Sequence, residues 1–219
     1  MIMKIIAHRG ASATCPENTI EAFAAALKMD ANAIETDIRK CPHCRKLKLS
    51  HEPIQSENEC KKLTDFASML GFGQSMELVL ELKEEGLYED ILRASENCSW
   101  PEKITISSFL WMELWCLRRS SRNVRIGILC DDTAGIIQKS LLLLVVKLIG
   151  AGSIHLDFAM IKKENGLAAY FKSKNIEVWG YAVNSEEDIR LAKKLNLDAI
   201  FTDYPAYASY IIFGNSGDL

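Results

Sequence analysis

The chain has 219 residues, of which 48% are hydrophobic, so it can bury one sizeable core. Its net charge of −3 at pH 7 argues against a nucleic-acid partner, which would call for a basic surface. Its seven cysteines are an odd number scattered along the chain, which is more typical of reduced intracellular thiols than of a disulfide framework.

Residues 5–27 form the first unit, which has the pattern of a short buried strand, a loop and an amphipathic helix. The loop carries His8, which can exchange a proton near neutral pH, and Arg9, whose guanidinium can bind phosphate or carboxylate oxygens. Asn18 is predicted to cap the helix, because Glu21 three residues later completes a capping-box pattern.

Two later strands carry charged residues on one face. Glu35 and Asp37 are two residues apart on the second predicted strand, and Glu81 and Lys83 are two residues apart on the third. Side chains at this spacing point to the same side of a strand. The sequence therefore predicts that each pair projects from a single face.

A hairpin is predicted between these two strands, with Cys41-Pro42-His43-Cys44 in its turn and His51 near the end of its second strand. The cysteine spacing suggests zinc or redox chemistry, but zinc prefers four ligands and only Cys60 lies near in sequence. We therefore expect a plain hairpin turn. A polar loop and one helix over residues 60–70 are predicted to follow.

The remaining chain alternates strands with helices. Helices are predicted at residues 110–120, 136–149, 163–174 and 185–195, where Ser185 caps the last of these, and a terminal helix follows. Eight strands are predicted, at residues 2–8, 31–38, 76–83, 104–109, 124–130, 153–158, 176–183 and 198–203. Eight such units favour a (β/α)8 TIM barrel in the α/β class, as a single domain over residues 1–219, with a doubly wound open sheet as the alternative.

The active site of such a barrel lies at the C-terminal ends of its strands. The polar residues expected there are His8, Arg9, Glu35, Asp37, His51, Glu81, Lys83 and Asn184. Three converging carboxylates would raise one another's pKa unless a cation lay between them, and all-oxygen ligation suits Mg²⁺, Ca²⁺ or Mn²⁺. Two histidines beside these groups indicate phosphate-ester chemistry, in which one imidazole takes a proton and the other gives one.

Several short motifs agree in order, spacing and strand context with one known family. They are His8-Arg9-Gly10, Pro16-Glu17-Asn18-Thr19 with Phe23, Ile34-Glu35-Thr36-Asp37, His51-Glu52, Leu80-Glu81-Leu82-Lys83, Ser108-Phe109, Tyr181-Ala182-Val183-Asn184 and Thr202-Asp203-Tyr204-Pro205. In these motifs the chain resembles the glycerophosphodiester phosphodiesterase family from end to end. The resemblance implies a TIM barrel that hydrolyses small glycerophosphodiesters to glycerol 3-phosphate and an alcohol.

The resemblance also implies roles for individual residues. The ligands implied for one divalent cation are Glu35, Asp37 and Glu81. The implied acid–base pair is His8 and His51. The implied substrate-binding residues are Arg9 and Lys83, which would contact the phosphate, together with Tyr181 and Asn184.

Three features depart from the family pattern. The second histidine is usually followed by Asp, whereas here it is followed by Glu52, which is one methylene longer. Tyr181 replaces a usual tryptophan and keeps an aromatic wall. The inserted subdomain that is common between His51 and Glu81 is largely missing, because only one helix fits in that interval, so we expect an open mouth to the site.

Three further polar residues lie near predicted strand ends. His155 and Asp157 share a face, so they either reach the site or serve as hydrogen-bonded structural residues. Asp203 is expected to cap the last turn rather than to contact substrate.

Other activities stay open on the same scaffold. One is a lysophospholipase D-like activity or a phospholipase that forms a cyclic phosphate. Another is a non-catalytic binding barrel, which the intact charged set disfavours.

The chain is expected to be cytoplasmic. The most apolar run, Ser140–Ala151, contains Lys147 and is too short to span a bilayer, so no integral membrane segment is predicted. The first motif begins so close to the N-terminus that it leaves no room for a signal peptide. The sequence does not indicate an oligomeric state.

Overall fold

Eight parallel strands close into a barrel in the computed structural model of this protein, which describes residues 2–96, 100–131, 138–164 and 166–214. The strands are β1 (Lys4–Ala7), β2 (Ala33–Lys40), β3 (Leu47–Leu49), β4 (Glu77–Leu82), β5 (Ile104–Ser108), β6 (Arg125–Cys130), β7 (Ser153–Asp157), β8 (Glu177–Tyr181) and β9 (Ala199–Thr202). The ring closes because β1 pairs in parallel with both β9 and β2. β3 lies outside the ring as the antiparallel partner of β2. The predicted TIM barrel and its extra hairpin strand are confirmed.

Helices follow most of the barrel strands. They are α1 (Ile20–Lys28), α2 (Glu57–Lys62), α3 (Phe66–Met69), α4 (Tyr88–Glu96), α5 (Trp111–Ser120), α6 (Lys139–Ile149), α7 (Phe158–Lys163), α8 (Leu167–Lys172), α9 (Glu186–Lys194) and α10 (Pro205–Phe213), with 3-10 turns at Leu70–Gln74 and Pro101–Lys103. The start predicted for α6 at residues 136–137 lies outside the described residues. Among the described helices, none combines the length and apolar character needed to cross a membrane.

Two helices that the sequence predicts as continuous are each divided in the structure. The helix predicted over residues 60–70 is interrupted at Leu63, where the backbone is extended. The interruption lets the chain pair with β3, since the Leu49 N–H donates to the Thr64 carbonyl at 3.0 Å. The helix predicted over residues 163–174 is instead α7 and α8, and Gly166, with φ of +85°, precedes α8.

The cap predicted for α1 is also wrong. Thr19 rather than Asn18 is the N-cap, and its hydroxyl accepts a hydrogen bond from the Ala22 N–H at 3.2 Å. Asn18 instead has a left-handed backbone, with φ of +59°, and its side chain is buried. The predicted Ser185 cap of α9 is confirmed, because its hydroxyl accepts from the Asp188 N–H at 3.1 Å.

Apolar side chains form two layers around the strands. The larger core lies between barrel and helices and includes Ile5, Phe23, Ile34, Leu78, Leu80 and Phe171. A second cluster fills the barrel interior with Ile6, Ala33, Val79, Trp179, Ala199 and Phe201. Every second side chain of a strand points to the same face. Glu35 and Asp37 therefore face the interior with Ala33, and Glu81 faces it with Val79. These three carboxylates lie toward the C-terminal ends of β2 and β4.

The loop after β1 packs directly against the backbone of α1. Gly10 has φ of +84°, and a Cβ added there would lie 2.6 Å from the Cβ of Ala22. The adjacent Ala11 N–H donates to the Ala22 carbonyl at 3.0 Å. Glycine is therefore required both by the backbone conformation and by the close approach of the helix.

Gly10→Ala should destabilise the fold by about 2–5 kcal/mol, the sum of ~1–2 for the left-handed conformation and ~1–3 for overpacking. Gly86→Ala is the matched control, because Gly86 has φ of +80° but no heavy atom within 4 Å of an added Cβ. It should lose only the conformational term, ~1–2 kcal/mol. Urea unfolding measures both values, and equal losses would refute the packing argument.

Candidate functional site

A pocket of about 220 Å³ opens at the C-terminal ends of the barrel strands. It is lined by His8, Arg9, Glu35, His51, Glu81, Lys83, Ser107, Phe109, Leu129, Tyr181, Ala182 and Phe201. Seven of the nine predicted site residues are in this lining, and the other two are Asp37 and Asn184. One half of the lining is charged and the other half is largely apolar.

Three carboxylates meet at one side of the pocket. Asp37 on β2 is in register with Glu81 on β4, and Glu35 lies two residues before Asp37. One oxygen from each of the three lies within 4.8 Å of the others. Glu35 Oε1 and Asp37 Oδ1 are buried without a hydrogen-bond partner. Unsatisfied buried oxygens in a convergent set are the donors that a hard cation requires.

The charges of these carboxylates work against one another. Burial and the neighbouring charge of Asp37 raise the pKa of Glu35 to about 8. The same two causes raise the pKa of Glu81. A cation between the three groups would oppose this effect, since an opposite charge favours the ionised form.

Two basic side chains already offset part of this negative charge. Arg9 Nε lies 3.0 Å from Asp37 Oδ2. Lys83 Nζ lies 2.7 Å from Glu81 Oε1 and 3.5 Å from Asp37 Oδ1. The Arg9 backbone N–H also donates to Glu35 Oε2 at 3.0 Å, so the loop after β1 is bound to the carboxylate set.

Asn18 holds Asp37 in place, a role that the sequence did not indicate. Its Nδ2 donates to Asp37 Oδ2 at 3.1 Å, and its Oδ1 accepts from the Thr36 hydroxyl at 2.6 Å and from the Asp37 N–H at 3.3 Å. The left-handed backbone of Asn18 allows this inward direction. The sequence signal was its place in the Pro16–Thr19 motif, which matches a helix cap equally well.

His8 is held by a carboxylate from the last strand. Its Nδ1 lies 2.7 Å from Asp203 Oδ1, which also accepts from the Ser12 hydroxyl at 3.0 Å. Burial opposes protonation of His8, but the hydrogen bond to Asp203 and the charge of Glu35 outweigh it and raise the pKa above 6.5. The expectation that Asp203 caps the last turn is wrong, since its carboxylate binds His8 and the N-cap of α10 is Tyr204.

The side-chain amide of Asn184 forms hydrogen bonds with neighbouring residues of the protein. Its Nδ2 donates to Asp203 Oδ2 at 2.6 Å, while its Oδ1 accepts from the Thr202 hydroxyl at 3.0 Å and the Asp203 N–H at 2.9 Å. Asn184 is not among the residues that line the pocket, and its predicted contact with substrate stays a prediction. Its contacts orient the carboxylate that holds His8.

His51 has an equivalent arrangement and lines the same pocket. Its Nδ1 lies 2.7 Å from Glu52 Oε1, so the longer carboxylate at this position still reaches the ring. Arg39 fixes the backbone here, with its Nη2 donating to the His51 carbonyl at 2.9 Å. Both histidines thus have a carboxylate at Nδ1, which leaves Nε2 of each available to the pocket.

Aromatic side chains form the apolar half of the pocket. Tyr181 contacts Phe109 and Phe201 edge to face, with ring centroids 6.0 Å and 6.4 Å apart. Its hydroxyl donates to the Cys130 carbonyl at 3.0 Å, which holds the ring against the barrel. Tyr181 therefore presents a fixed aromatic wall, as predicted for this position.

His155 and Asp157 are structural. His155 stacks on Trp179 with centroids 4.2 Å apart, and its Nε2 is 2.9 Å from the Ser153 hydroxyl. Burial lowers its pKa to about 3, so it is neutral inside the barrel. Asp157 caps α7 by accepting from the Ala159 N–H at 2.6 Å. Neither residue lines the pocket.

Comparison with known proteins supports one family. The family model described as "Glycerophosphoryl diester phosphodiesterase family" matches residues 8–41 and 61–207. A glycerophosphodiester phosphodiesterase of Caldanaerobacter subterraneus is 25% identical over 238 residues, covering 92% of this chain and 94% of the relative. One from Bacillus altitudinis is 26% identical over 239 residues, covering 92% of this chain and 95% of the relative.

Solved structures share the fold. A putative glycerophosphoryl diester phosphodiesterase from Silicibacter pomeroyi superposes with a TM-score of 0.84 at 20% identity, covering 97% of this chain and 94% of the other. An Oleispira antarctica phosphodiesterase in complex with the product sn-glycerol-3-phosphate has a TM-score of 0.79 at 21% identity, covering 96% and 97%. The family match omits residues 42–60, the segment that contains His51.

Asp203→Asn should lower the pKa of His8, because the carboxylate favours the protonated ring. Since the folded-state pKa of His8 is raised, its contribution to stability is present below pH ~6.5 and is lost as the pH rises through the folded value. The variant should lose that contribution. NMR titration of the His8 ring measures the shift.

Ser12→Ala is the matched control, because it removes a neutral donor from the same Asp203 oxygen and leaves the histidine contact intact. Its His8 should keep a raised pKa. An unchanged pKa in Asp203→Asn would show that Asp203 does not control the ring.

Proposed function

The chain belongs to the glycerophosphoryl diester phosphodiesterase family and is a phosphoric diester hydrolase, and on that basis we propose that it hydrolyses glycerophosphodiesters to glycerol 3-phosphate and an alcohol. One observation carries the proposal. Two carboxylate-paired histidines line the same pocket as two basic side chains and two members of a three-carboxylate cluster. The product bound to the Oleispira antarctica relative supports the glycerol 3-phosphate half of the reaction.

The pocket fits one divalent cation, which would be held by Glu35, Asp37 and Glu81. The donors are all oxygens, so Mg²⁺, Ca²⁺ or Mn²⁺ suits them better than a thiophilic ion. Glu35 Oε1 and Asp37 Oδ1 support this assignment, because both are buried and neither accepts a hydrogen bond. When bound, the cation would neutralise charge on the phosphoryl oxygens.

Arg9 and Lys83 are proposed to bind the phosphoryl group. Both line the pocket, and both lie beside the carboxylates, so their positive charge is directed to the place where phosphate oxygens would sit. The planar guanidinium of Arg9 can bind two oxygens, whereas the Lys83 ammonium acts as a compact positive charge. Together they hold the diester against the histidines.

His8 and His51 are proposed to transfer the two protons of the reaction. One imidazole removes a proton from the water that attacks phosphorus, and the other protonates the departing alcohol oxygen. Asp203 and Glu52 bind Nδ1 of the rings and so present Nε2 of each to the substrate. Asn184 acts as a positioning residue, because it orients Asp203.

The carbon skeleton of the substrate is proposed to pack on Tyr181 and its aromatic neighbours. The segment between Glu52 and β4 leaves the mouth of the pocket open, because Phe66 and Met69 from that segment are buried in the core between barrel and helices. It therefore supplies no lid of its own.

Removal of divalent cations by a chelator should abolish turnover, and Mg²⁺, Ca²⁺ or Mn²⁺ should restore it. Asp37→Asn should lose cation affinity while staying folded, because the amide keeps the shape of the carboxylate but not its charge. A coupled assay of glycerol 3-phosphate release and a thermal shift on adding cation measure the two effects.

Asp188→Asn is the matched control, since Asp188 lies on α9 and pairs with Lys162 at the surface. It should retain cation binding and activity. Full activity of the wild-type enzyme in excess chelator would refute the cation site.

Alanine at His8 or His51 should reduce kcat by about 10²–10⁴, the usual range for general acid–base catalysis, with little change in cation affinity. Glu52→Gln should also reduce kcat, because a neutral amide would bind Nδ1 of His51 less strongly than the carboxylate and so orient the ring less well. His43→Ala is the control, because His43 lies in the exposed hairpin turn and should keep the wild-type rate. Steady-state kinetics provide the measurement, and a normal kcat in His51→Ala would exclude that residue from proton transfer.

Because the segment between Glu52 and β4 supplies no lid, glycerophosphocholine, glycerophosphoethanolamine and glycerophosphoglycerol should be cleaved with kcat/KM values within about tenfold, ~1.4 kcal/mol. The reason is that this segment provides few buried contacts to the leaving alcohol. Measuring glycerol 3-phosphate release for each substrate tests this. A thousandfold preference would mean that other residues close over the head group.

A further inference from the structure

Three cysteine thiols converge beside the β2–β3 hairpin, away from the pocket. Cys41 and Cys44 lie in the hairpin turn and Cys60 lies in α2. Their sulfur atoms all lie within 4.8 Å of one another, and Sγ of Cys44 is 3.3 Å from Sγ of Cys60. None of the three lines the active-site pocket. The sequence-based expectation of a plain turn therefore accounts for the backbone but not for the thiols.

The turn is built so that its two cysteines face the same point. The Cys41 N–H donates to the Lys46 carbonyl at 2.8 Å, and the Arg45 N–H donates to the Cys41 carbonyl at 2.9 Å. Arg45 has φ of +62°, which reverses the chain tightly. The Cys44 N–H then points to Sγ of Cys41 at 3.5 Å. Two cysteines separated by two residues in such a turn have the spacing found in zinc-binding loops.

The third cysteine is delivered by α2. The Ser56 hydroxyl caps this helix by accepting from the Glu59 N–H at 3.1 Å, which fixes where the helix starts. Cys60 is then buried against Cys41 and Ile54 in a small separate core. The helix is thus held against the hairpin with its thiol directed at the turn.

We propose that Cys41, Cys44 and Cys60 bind one thiophilic divalent cation, for which Zn²⁺ is the best fit. Tetrahedral zinc with Zn–S bonds of ~2.3 Å needs sulfur atoms about 3.8 Å apart, which falls within the spacing of this cluster. The fourth position faces solvent at Cys44, which is exposed. Water fills it, since no further His, Cys, Asp or Glu of the described residues joins the cluster.

This site is separate in chemistry and position from the carboxylate cluster. Its sulfur donors select a soft ion, whereas the oxygens of the pocket select a hard one. Two of its three ligands lie in residues 42–60, which the family match leaves out. The family relationship therefore supplies no role for these cysteines.

The bound ion would fasten both ends of the segment that carries His51. Cys44 precedes His51 and Cys60 follows it, and Glu52 lies in the same segment. A metal bridge between the hairpin and α2 would slow local opening of this segment. Any effect on kcat through His51 rests on the proposed function, whereas the metal binding itself does not.

Titration with Co²⁺ under anaerobic, reducing conditions tests the site through the sulfur-to-cobalt charge-transfer absorption, which carboxylate ligands do not produce. The wild-type protein should bind one equivalent with this absorption, and Zn²⁺ should displace it. Cys44→Ser should weaken binding at least about a hundredfold. Loss of a group that only supports a metal ligand can already cost about that much, and loss of the ligand itself should cost no less. Cys44 is exposed, so this variant should stay folded.

Two matched variants separate the alternatives. Cys116→Ser changes a half-buried cysteine on α5 and should keep the absorption. Asp37→Asn should also keep it, even where that variant is inactive, so failure of the proposed catalytic cation site would not affect this result. Hydrogen exchange of residues 41–62 should slow when Zn²⁺ is added to the wild-type protein and not to Cys44→Ser.

Three results would overturn the proposal. The first is the absence of charge-transfer absorption in the reduced wild-type protein. The second is absorption that Cys44→Ser retains at full affinity. The third is loss of the absorption in His43→Ala. That result would mean that the His43 imidazole, rather than water, is the fourth ligand, and it would contradict the three-thiolate site.

Discussion

Burial of three like charges at the ends of two neighbouring strands is the constraint on which the active site depends. Glu35, Asp37 and Glu81 cannot all be ionised inside a barrel unless positive charge lies among them. Arg9 and Lys83 provide part of that charge, and a divalent cation fits the rest. The same excess of negative charge favours binding of a cation between the three carboxylates.

The two histidines face this cluster with the same supporting chemistry but different surroundings. His8 and Asp203 are both largely shielded, and Ser12 and Asn184 fix the carboxylate further. Glu52, in contrast, has a side chain that is 77% exposed. The orientation of His8 and Asp203 is therefore fixed by the residues packed around them. The orientation of His51 and Glu52 depends instead on how rigidly the hairpin segment is attached to the barrel.

That hairpin segment includes residues 42–60, which the family match leaves out. It carries His51, lies outside the matched residues and places three thiols within reach of one ion. A short segment with little core of its own is stabilised by cross-links that do not require buried apolar area. A metal ion bound by the cysteine cluster would provide such a cross-link in the same segment that carries His51.

The sequence by itself determined the barrel and the residues that face its interior. Eight strand–helix units predict a closed barrel, and the two-residue period of a strand places Glu35 and Asp37 on one face. Both patterns can be recognised in the sequence because they are local along the chain. Only the tertiary structure decided the partners. His8 meets Asp203 across 195 residues, and the left-handed backbone of Asn18 turns a predicted cap into a support for Asp37. Such contacts depend on loop conformation and on strand ends that meet only when the ring closes, and neither leaves a periodic pattern in the sequence.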